Sequence, residues 1–297
     1  MYSPATFEPL QFVTNITDSS LRQRYFSRVW PALWPLRLYI KRFPIDRGKG
    51  FLTRRLIRPL LPPMPASFVI NLPGAARLAL QFRELLGLTV LLQGGFEVSE
   101  LQQLRSHVKP GATFVDVGAN VGLYTIAISP LVGSTGRVMA FEPLPANLAR
   151  LRANVAMNQF GNVEVHGQAL GDTEGTIELK LSNDPAYPSV VEVTENRGTG
   201  QWQTVPVTRL DTVWARAGCP QVSAIKIDVE GAELMVLKGA EQVLKSCKPY
   251  VQLEANSRAH LAALTQWLTR RGYVYQHPDD FMQWNHVFVH RDTAAGR

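Results

Sequence analysis

Thr113-Phe114-Val115-Asp116-Val117 is an apolar run broken by a single acid, and it enters Gly118-Ala119-Asn120-Val121-Gly122 before an apolar pattern resumes at Leu123-Tyr124-Thr125. Such a run reads as a buried strand, a tight backbone turn and a helix start. Gly118 and Gly122 leave room for a ligand to approach the main chain. Asp116 puts a carboxylate at the strand's carboxyl end, where open α/β sheets bind ligands.

The alternation continues. Strands are predicted over 113–117, 136–141, 163–166, 224–228 and 250–254, with helices over 123–131, 146–159, 232–244 and 259–270. Leu148, Leu151 and Val155 share one face of the second helix, and Leu261, Leu264 and Leu268 share one face of the last. This order implies an α/β fold, a parallel sheet with helices on both faces. Two closing strands, 273–276 and 286–290, are separated by too few residues for a helical crossover, so the last is expected to be antiparallel. Residues 173–212 interrupt the pattern with three further strands at 176–181, 190–194 and 203–207, either covering a substrate or forming a peripheral hairpin. Before the sheet, 67–72 and 89–92 read as strands, with helices over 75–86 and 99–108. The division expected is 1–94, an extension with a small α/β segment, and 95–297, the main domain.

The glycine spacing narrows the ligand. A dinucleotide turn needs G-x-G-x-x-G, and from Gly118 the required positions hold Asn120 and Leu123. What stands here is D-x-G-x-N-x-G, the turn expected for S-adenosylmethionine, which has no pyrophosphate to cradle. Glu142 ends the next strand, where a carboxylate can accept from ribose hydroxyls. After the third strand, Leu170 is placed to pack on an adenine ring and Asp172 to accept from its amino group, against the plainer reading of a loop. A second acid-rich strand end follows at Lys226-Ile227-Asp228-Val229-Glu230-Gly231-Ala232-Glu233. Its acids would lie beside the first strand, next to the sulfonium; the simpler role for Asp228 or Glu230 is a helix cap. Glu254 is a third acid of this kind, alternatively a partner of Lys226 or Arg258.

The chain resembles the FkbM-type family of S-adenosylmethionine-dependent methyltransferases. The resemblance rests on residues 116–125, Phe141-Glu142-Pro143-Leu144-Pro145-Ala146-Asn147, Leu210-Asp211, residues 226–233 and 236–240, and Glu254, in that order. It implies a class I methyltransferase (Rossmann-like) fold, a seven-stranded mixed sheet with its last strand reversed. It also implies S-adenosylmethionine as cofactor, held by Asp116, Gly118, Asn120, Tyr124, Glu142 and Asp228, with Asn147 near the adenosine. The implied reaction is methylation of a hydroxyl or carboxylate of a saccharide or small metabolite, with Asp228 or Glu230 as base.

Composition bounds the rest. Apolar residues make up 45% of the 297, as a chain with a sizeable core requires. Residues 1–66 hold eleven Lys/Arg against three Asp/Glu, a balance of +8 within a net charge of +7. With Trp30, Trp34 and Tyr39 interleaved, that segment reads as a contact for an anionic membrane or an acidic polymer, or as an extension packed on the main domain. Two cysteines, no long apolar run and no leader pattern are the marks of a cytoplasmic protein, peripheral to a membrane if the basic segment touches one. Six scattered histidines and the two cysteines form no metal-ligand spacing, so no metal is expected. Three alternatives stay open: a nicotinamide oxidoreductase, opposed by the failed glycine spacing; a membrane- or polymer-associated binding module with a retained cofactor fold; and a nucleic-acid methyltransferase, suggested by the basic segment.

Overall fold

A computed structural model describes residues 67–82, 84–93, 95–181, 190–194, 201–276 and 285–294. The basic segment 1–66 lies outside the described residues. The chain forms two units, 1–98 and 99–297.

In the first unit, β1 (Ser67–Leu72) and β2 (Ala76–Gln81) pair as an antiparallel hairpin, and α1 (Leu85–Gln93) follows. This reverses two expectations: 75–86 is not a helix and 89–92 is not a strand. Residues 76–81 are rich in Ala, Leu, Arg and Gln, good helix formers, but Ala76, Leu78 and Leu80 alternate inward with a period of two. Gly74 and Ala75 take successive positive φ values of 83° and 59° and turn the chain back on itself. Thr89 and Val90 suggest a strand, yet Leu88, Val90 and Leu91 bury from a helix whose Gly87 sits where a Cβ would lie 2.0 Å from the Gln81 carbonyl oxygen.

In the second unit, α2 (Val98–Arg105) leads into β3 (Thr113–Val117), α3 (Leu123–Val132), β4 (Arg137–Phe141), α4 (Pro145–Asn158), β5 (Val163–His166) and β6 (Ala169–Leu170). Then come β7 (Gly175–Leu181), β8 (Val190–Thr194), β9 (Trp202–Thr208), α5 (Leu210–Arg216) and β10 (Val222–Ile227). The chain continues through α6 (Glu233–Gly239), α7 (Glu241–Cys247), β11 (Tyr250–Glu254), α8 (Arg258–Thr269), β12 (Tyr273–Tyr275), β13 (Asn285–His290) and α9 (Arg291–Ala294).

Seven strands form one sheet in the order β12-β13-β11-β10-β3-β4-β5. β10 is parallel to both β3 and β11, and β4 is parallel to both β3 and β5. β13 runs antiparallel to both its neighbours, as the short connection demands. Every residue of β3 is buried, the signature of a strand covered on both faces. Its alternate residues Val115 and Val117 join Ile225, Ile227, Val251 and Leu253 in one apolar layer. Each such side chain contributes about 2 kcal/mol on burial, which is what allows β3 to carry the fully buried Asp116.

The three interrupting strands, with β6, make a second sheet ordered β6-β9-β7-β8. The expected 232–244 helix is split into α6 and α7. Gly239 ends α6 where a Cβ would stand 1.8 Å from the Gly171 carbonyl oxygen, so the helix closes on the end of β6 and restarts after Ala240. Among the described residues no helix is long and apolar enough to cross a membrane.

Candidate active site

Parallel strands deliver their carboxyl ends to one rim, and three of those ends meet in a single cleft. The turn after β3 and the turn after β10 interlock. Gly118 has φ +76°, and a Cβ there would fall 1.8 Å from the Asp228 carbonyl oxygen, so only glycine admits this approach. The Asp228 amide donates to the Val117 carbonyl at 3.0 Å, fixing the two turns together. Asn120 adopts φ 50°, a left-handed conformation that asparagine tolerates.

On the β4 side the carboxylate is held by neutral donors. The Asn120 amide donates to Glu142 Oε2 at 2.8 Å and the Leu144 amide to Oε1 at 2.9 Å. Asn147 adds a side-chain bond. Burial pushes the Glu142 carboxyl up to about 7, against the pull of these bonds. Three donors occupy an acceptor with about four sites, which leaves capacity for a hydroxyl in the cleft.

On the β10 side the acids are held by charge. Lys226, buried within its strand, places Nζ 2.9 Å from Asp228 Oδ2 and 5.0 Å from the centre of the Tyr124 ring. Burial pushes the Asp228 carboxyl up, but Lys226 and a hydrogen bond with Glu254 outweigh it and hold it below its ordinary value. Burial, then that hydrogen bond and the Asp228 charge, push Glu254 up to about 9. Of the two, Glu254 is the weaker acid. Glu230, at the rim with φ 54°, is pushed up to about 7 by desolvation and then by the Asp228 and Glu233 charges.

Of the residues singled out from the sequence, Gly118, Asn120, Glu142, Asn147, Leu170, Asp228 and Glu230 line the cleft. Asp116 and Tyr124 are not among its lining; both are buried beside Lys226. Asp116 is the register partner of Lys226 and accepts from Thr125 Oγ1 at 2.6 Å, while its Oδ1 is buried without a hydrogen-bond partner. Burial leaves this carboxyl above its ordinary value despite Lys226. The Tyr124 hydroxyl accepts from Gln252 Nε2 at 3.0 Å. Asp172 is not in the lining either.

Sequence reasoning gives no role to Gln168, Ile177 or Leu179, which also line the cleft, as does Ala169 beside Leu170. Ile177 and Leu179 come from β7, so the interrupting sheet supplies a wall, packed through Leu179 on Leu144, Ala169, Val205 and Val207. Nothing in their spacing marks them. Lys226 does carry a signal, a lone cation inside an apolar strand.

The profile of the methyltransferase FkbM domain matches residues 116–275. A stretch of 204 residues is 28% identical to the AMB antimetabolite synthetase AmbE of Pseudomonas aeruginosa, covering 55% of this chain and 10% of that protein. Over 161 residues the chain is 29% identical to the 31-O-demethyl-FK506 methyltransferase FkbM of Streptomyces tacrolimicus, covering 45% and 61%. Over 131 residues it is 30% identical to the hexuronic acid methyltransferase AglP of Haloferax volcanii, covering 44% and 51%. The chain thus spans less than two thirds of the length of each of these relatives. The matched residues take in both interlocked turns, Glu142 and Glu254, and more than half of the chain, which belongs to the FkbM methyltransferase domain family.

Proposed function

We propose that the cleft binds S-adenosylmethionine and that the protein transfers its methyl group to a hydroxyl of a saccharide or small metabolite. The observation that carries this reading is the Glu142 carboxylate, clamped by the Asn120 and Leu144 amides at the cleft edge opposite Asp228 and Glu230. The residues suit the group in two further ways. Ala169, Leu170, Ile177 and Leu179 offer an apolar slot for a flat ring. The Lys226 ammonium balances the ionised Asp228, and the partly ionised Glu142 and Glu230 carboxyls then give the lining a negative field that favours a ligand bearing positive charge.

When bound, S-adenosylmethionine supplies a methyl group already activated on a sulfonium. The remaining work belongs to the chain. Glu142 would accept from the cofactor's ribose hydroxyl, and Leu170 would pack on its adenine. The interlocked turns would fix where the cofactor lies relative to Asp228 and Glu230. Asp228 is ionised but already engaged by Lys226 and Glu254, so it holds the floor of the site and is a poor proton acceptor. Glu230 has its carboxyl near neutrality at the rim, the property of a general base, and receives the proton of the acceptor hydroxyl. FkbM and AglP, named for 31-O-demethyl-FK506 and for a hexuronic acid, support oxygen of a small metabolite or sugar as the acceptor class.

Two measurements test this. Calorimetry with S-adenosylmethionine and S-adenosylhomocysteine should show binding that Glu142→Ala abolishes. Transfer of labelled methyl to a panel of sugars, glycans and hydroxylated metabolites should show product. Folded protein that binds neither compound ends the proposal.

A further inference from the structure

We propose that Glu233, backed by His260, is a positioning residue for the reaction: it clamps the backbone on both sides of Glu230 and so sets where that carboxylate stands. This rests on the role given to Glu230 above.

The geometry is specific. Glu233 Oε1 accepts from the Val229 amide at 3.1 Å and from the Gly231 amide at 3.2 Å. One oxygen therefore holds the amides of the residues on either side of Glu230. That stretch needs holding, because Glu230 at φ 54° and Gly231 at φ 102° are consecutive left-handed residues. A glutamate in that region is strained unless its surroundings fix it, and such residues cluster at sites of function. Glu233 is only 1% exposed. Its other oxygen, Oε2, lies 3.3 Å from His260 Nε2, close but without hydrogen-bond alignment. His260 is placed by the first turn of α8, where its amide donates to the Ser257 hydroxyl at 3.1 Å. The clamp thus ties the turn after β10 to two helices, α6 and α8.

Glu233 also acts on Glu230 through its charge. The charged groups acting on Glu230 are Asp228 and Glu233, which repel its negative form, and Lys226, which favours it. Burial pushes the Glu233 carboxyl itself above its ordinary value, against the pull of the clamped amides and of His260. Position and charge can be separated by substitution. Glu233→Gln keeps an acceptor oxygen for both amides and removes the charge. Glu233→Ala removes both.

The experiment uses the full chain and both variants. Hydrogen exchange at the Val229 and Gly231 amides reads the clamp; it should accelerate in Glu233→Ala and stay slow in Glu233→Gln. Carbon-detected NMR titration of the Glu230 carboxyl should move to lower pH in Glu233→Gln, since a repelling charge has gone. With an acceptor from the labelled-methyl panel, Glu233→Ala should lose about tenfold or more in kcat. Its affinity for S-adenosylhomocysteine should change less than about threefold, and Glu233→Gln should retain most of the rate. Unchanged exchange at both amides, an unmoved Glu230 titration, or full kcat in a folded Glu233→Ala overturns the inference. So does a loss of S-adenosylhomocysteine binding that matches the loss of rate. If wild-type protein binds no S-adenosylhomocysteine, the proposed function fails instead, and the exchange and titration still decide whether the clamp exists.

Discussion

The two sides of the cleft hold their acids by opposite means. Glu142, after β4, is gripped by the amides of Asn120 and Leu144, neutral dipoles built into two turns. Asp228, Glu230 and Glu254, after β10 and β11, are governed by one another and by the one ammonium of Lys226. Fixed dipoles give a carboxylate a place without giving it a countercharge. That suits recognition of a neutral hydroxyl. Coupled charges spread the group titrations apart, from a depressed Asp228 to a Glu254 near 9, and leave Glu230 poised between them. That suits proton transfer. In the proposed function, recognition and chemistry are thus divided between the two halves of one sheet edge, joined where Gly118 meets Asp228.

The sharpest way to break the division is at that joint. Gly118→Ala places a Cβ 1.8 Å from the Asp228 carbonyl oxygen at a left-handed φ, so both sides should fail together. We expect a loss of about 3 kcal/mol or more by denaturant unfolding, with S-adenosylhomocysteine binding lost as well.

Next in size, Glu230→Gln should lower turnover about a hundredfold and leave S-adenosylhomocysteine affinity nearly unchanged, because it touches only the proton-transfer side. Steady-state kinetics beside calorimetry reads both. Equal losses in the two would merge the sides that the structure separates.

Lys226→Met should destabilise the fold by about 2 kcal/mol in thermal unfolding, less than a fully buried pair would show, because the Asp228 side chain is 29% exposed. It should also raise the Asp228 titration most, since Lys226 is the largest of the lowering influences on that group, and those of Glu142 and Glu230 less, since it is the smallest influence on each.

The smallest expected effect is the pH dependence of binding. Glu142 sits near 7 in the free protein, above its ordinary value. A ligand hydroxyl needs the ionised form, so S-adenosylhomocysteine affinity should weaken as pH falls through about 7, and binding near that pH should release protons. Calorimetry in buffers of differing ionisation enthalpy measures this directly. The same raised value means that the ligand-free fold gives up stability as pH rises from about 4.5 to about 7, where the unfolded chain ionises first.

Much of the main sheet is legible in the residue pattern itself. β3, β4, β5 and β11 stand close to their expected bounds, because buried parallel strands are short apolar runs that end in acids and glycines. The first unit is not legible in the same way. Residues 76–81 and 85–93 are written in helix formers and β-branched residues that suit either state, and pairing with β1 decides between them. α5 escapes a reading by period, since 210–216 is short and its apolar residues have no clear spacing. The site follows the same rule. Glu142, Asp228 and Glu230 are marked by their places at strand ends, whereas Ile177 and Leu179 reach the cleft only through the packing of β7 against Leu144 and Ala169.

The amino-acid order alone determined the alternating fold, the reversed last strand and the family motifs, because those follow from local period, connection length and glycine spacing. It could not decide the electrostatics. Lys226 and Glu254 are 28 positions apart in number, and Asp116 is further still; they share one field only because β3, β10 and β11 lie side by side in register. A titration is set by burial and by neighbours in space, and neighbours in space are what folding creates.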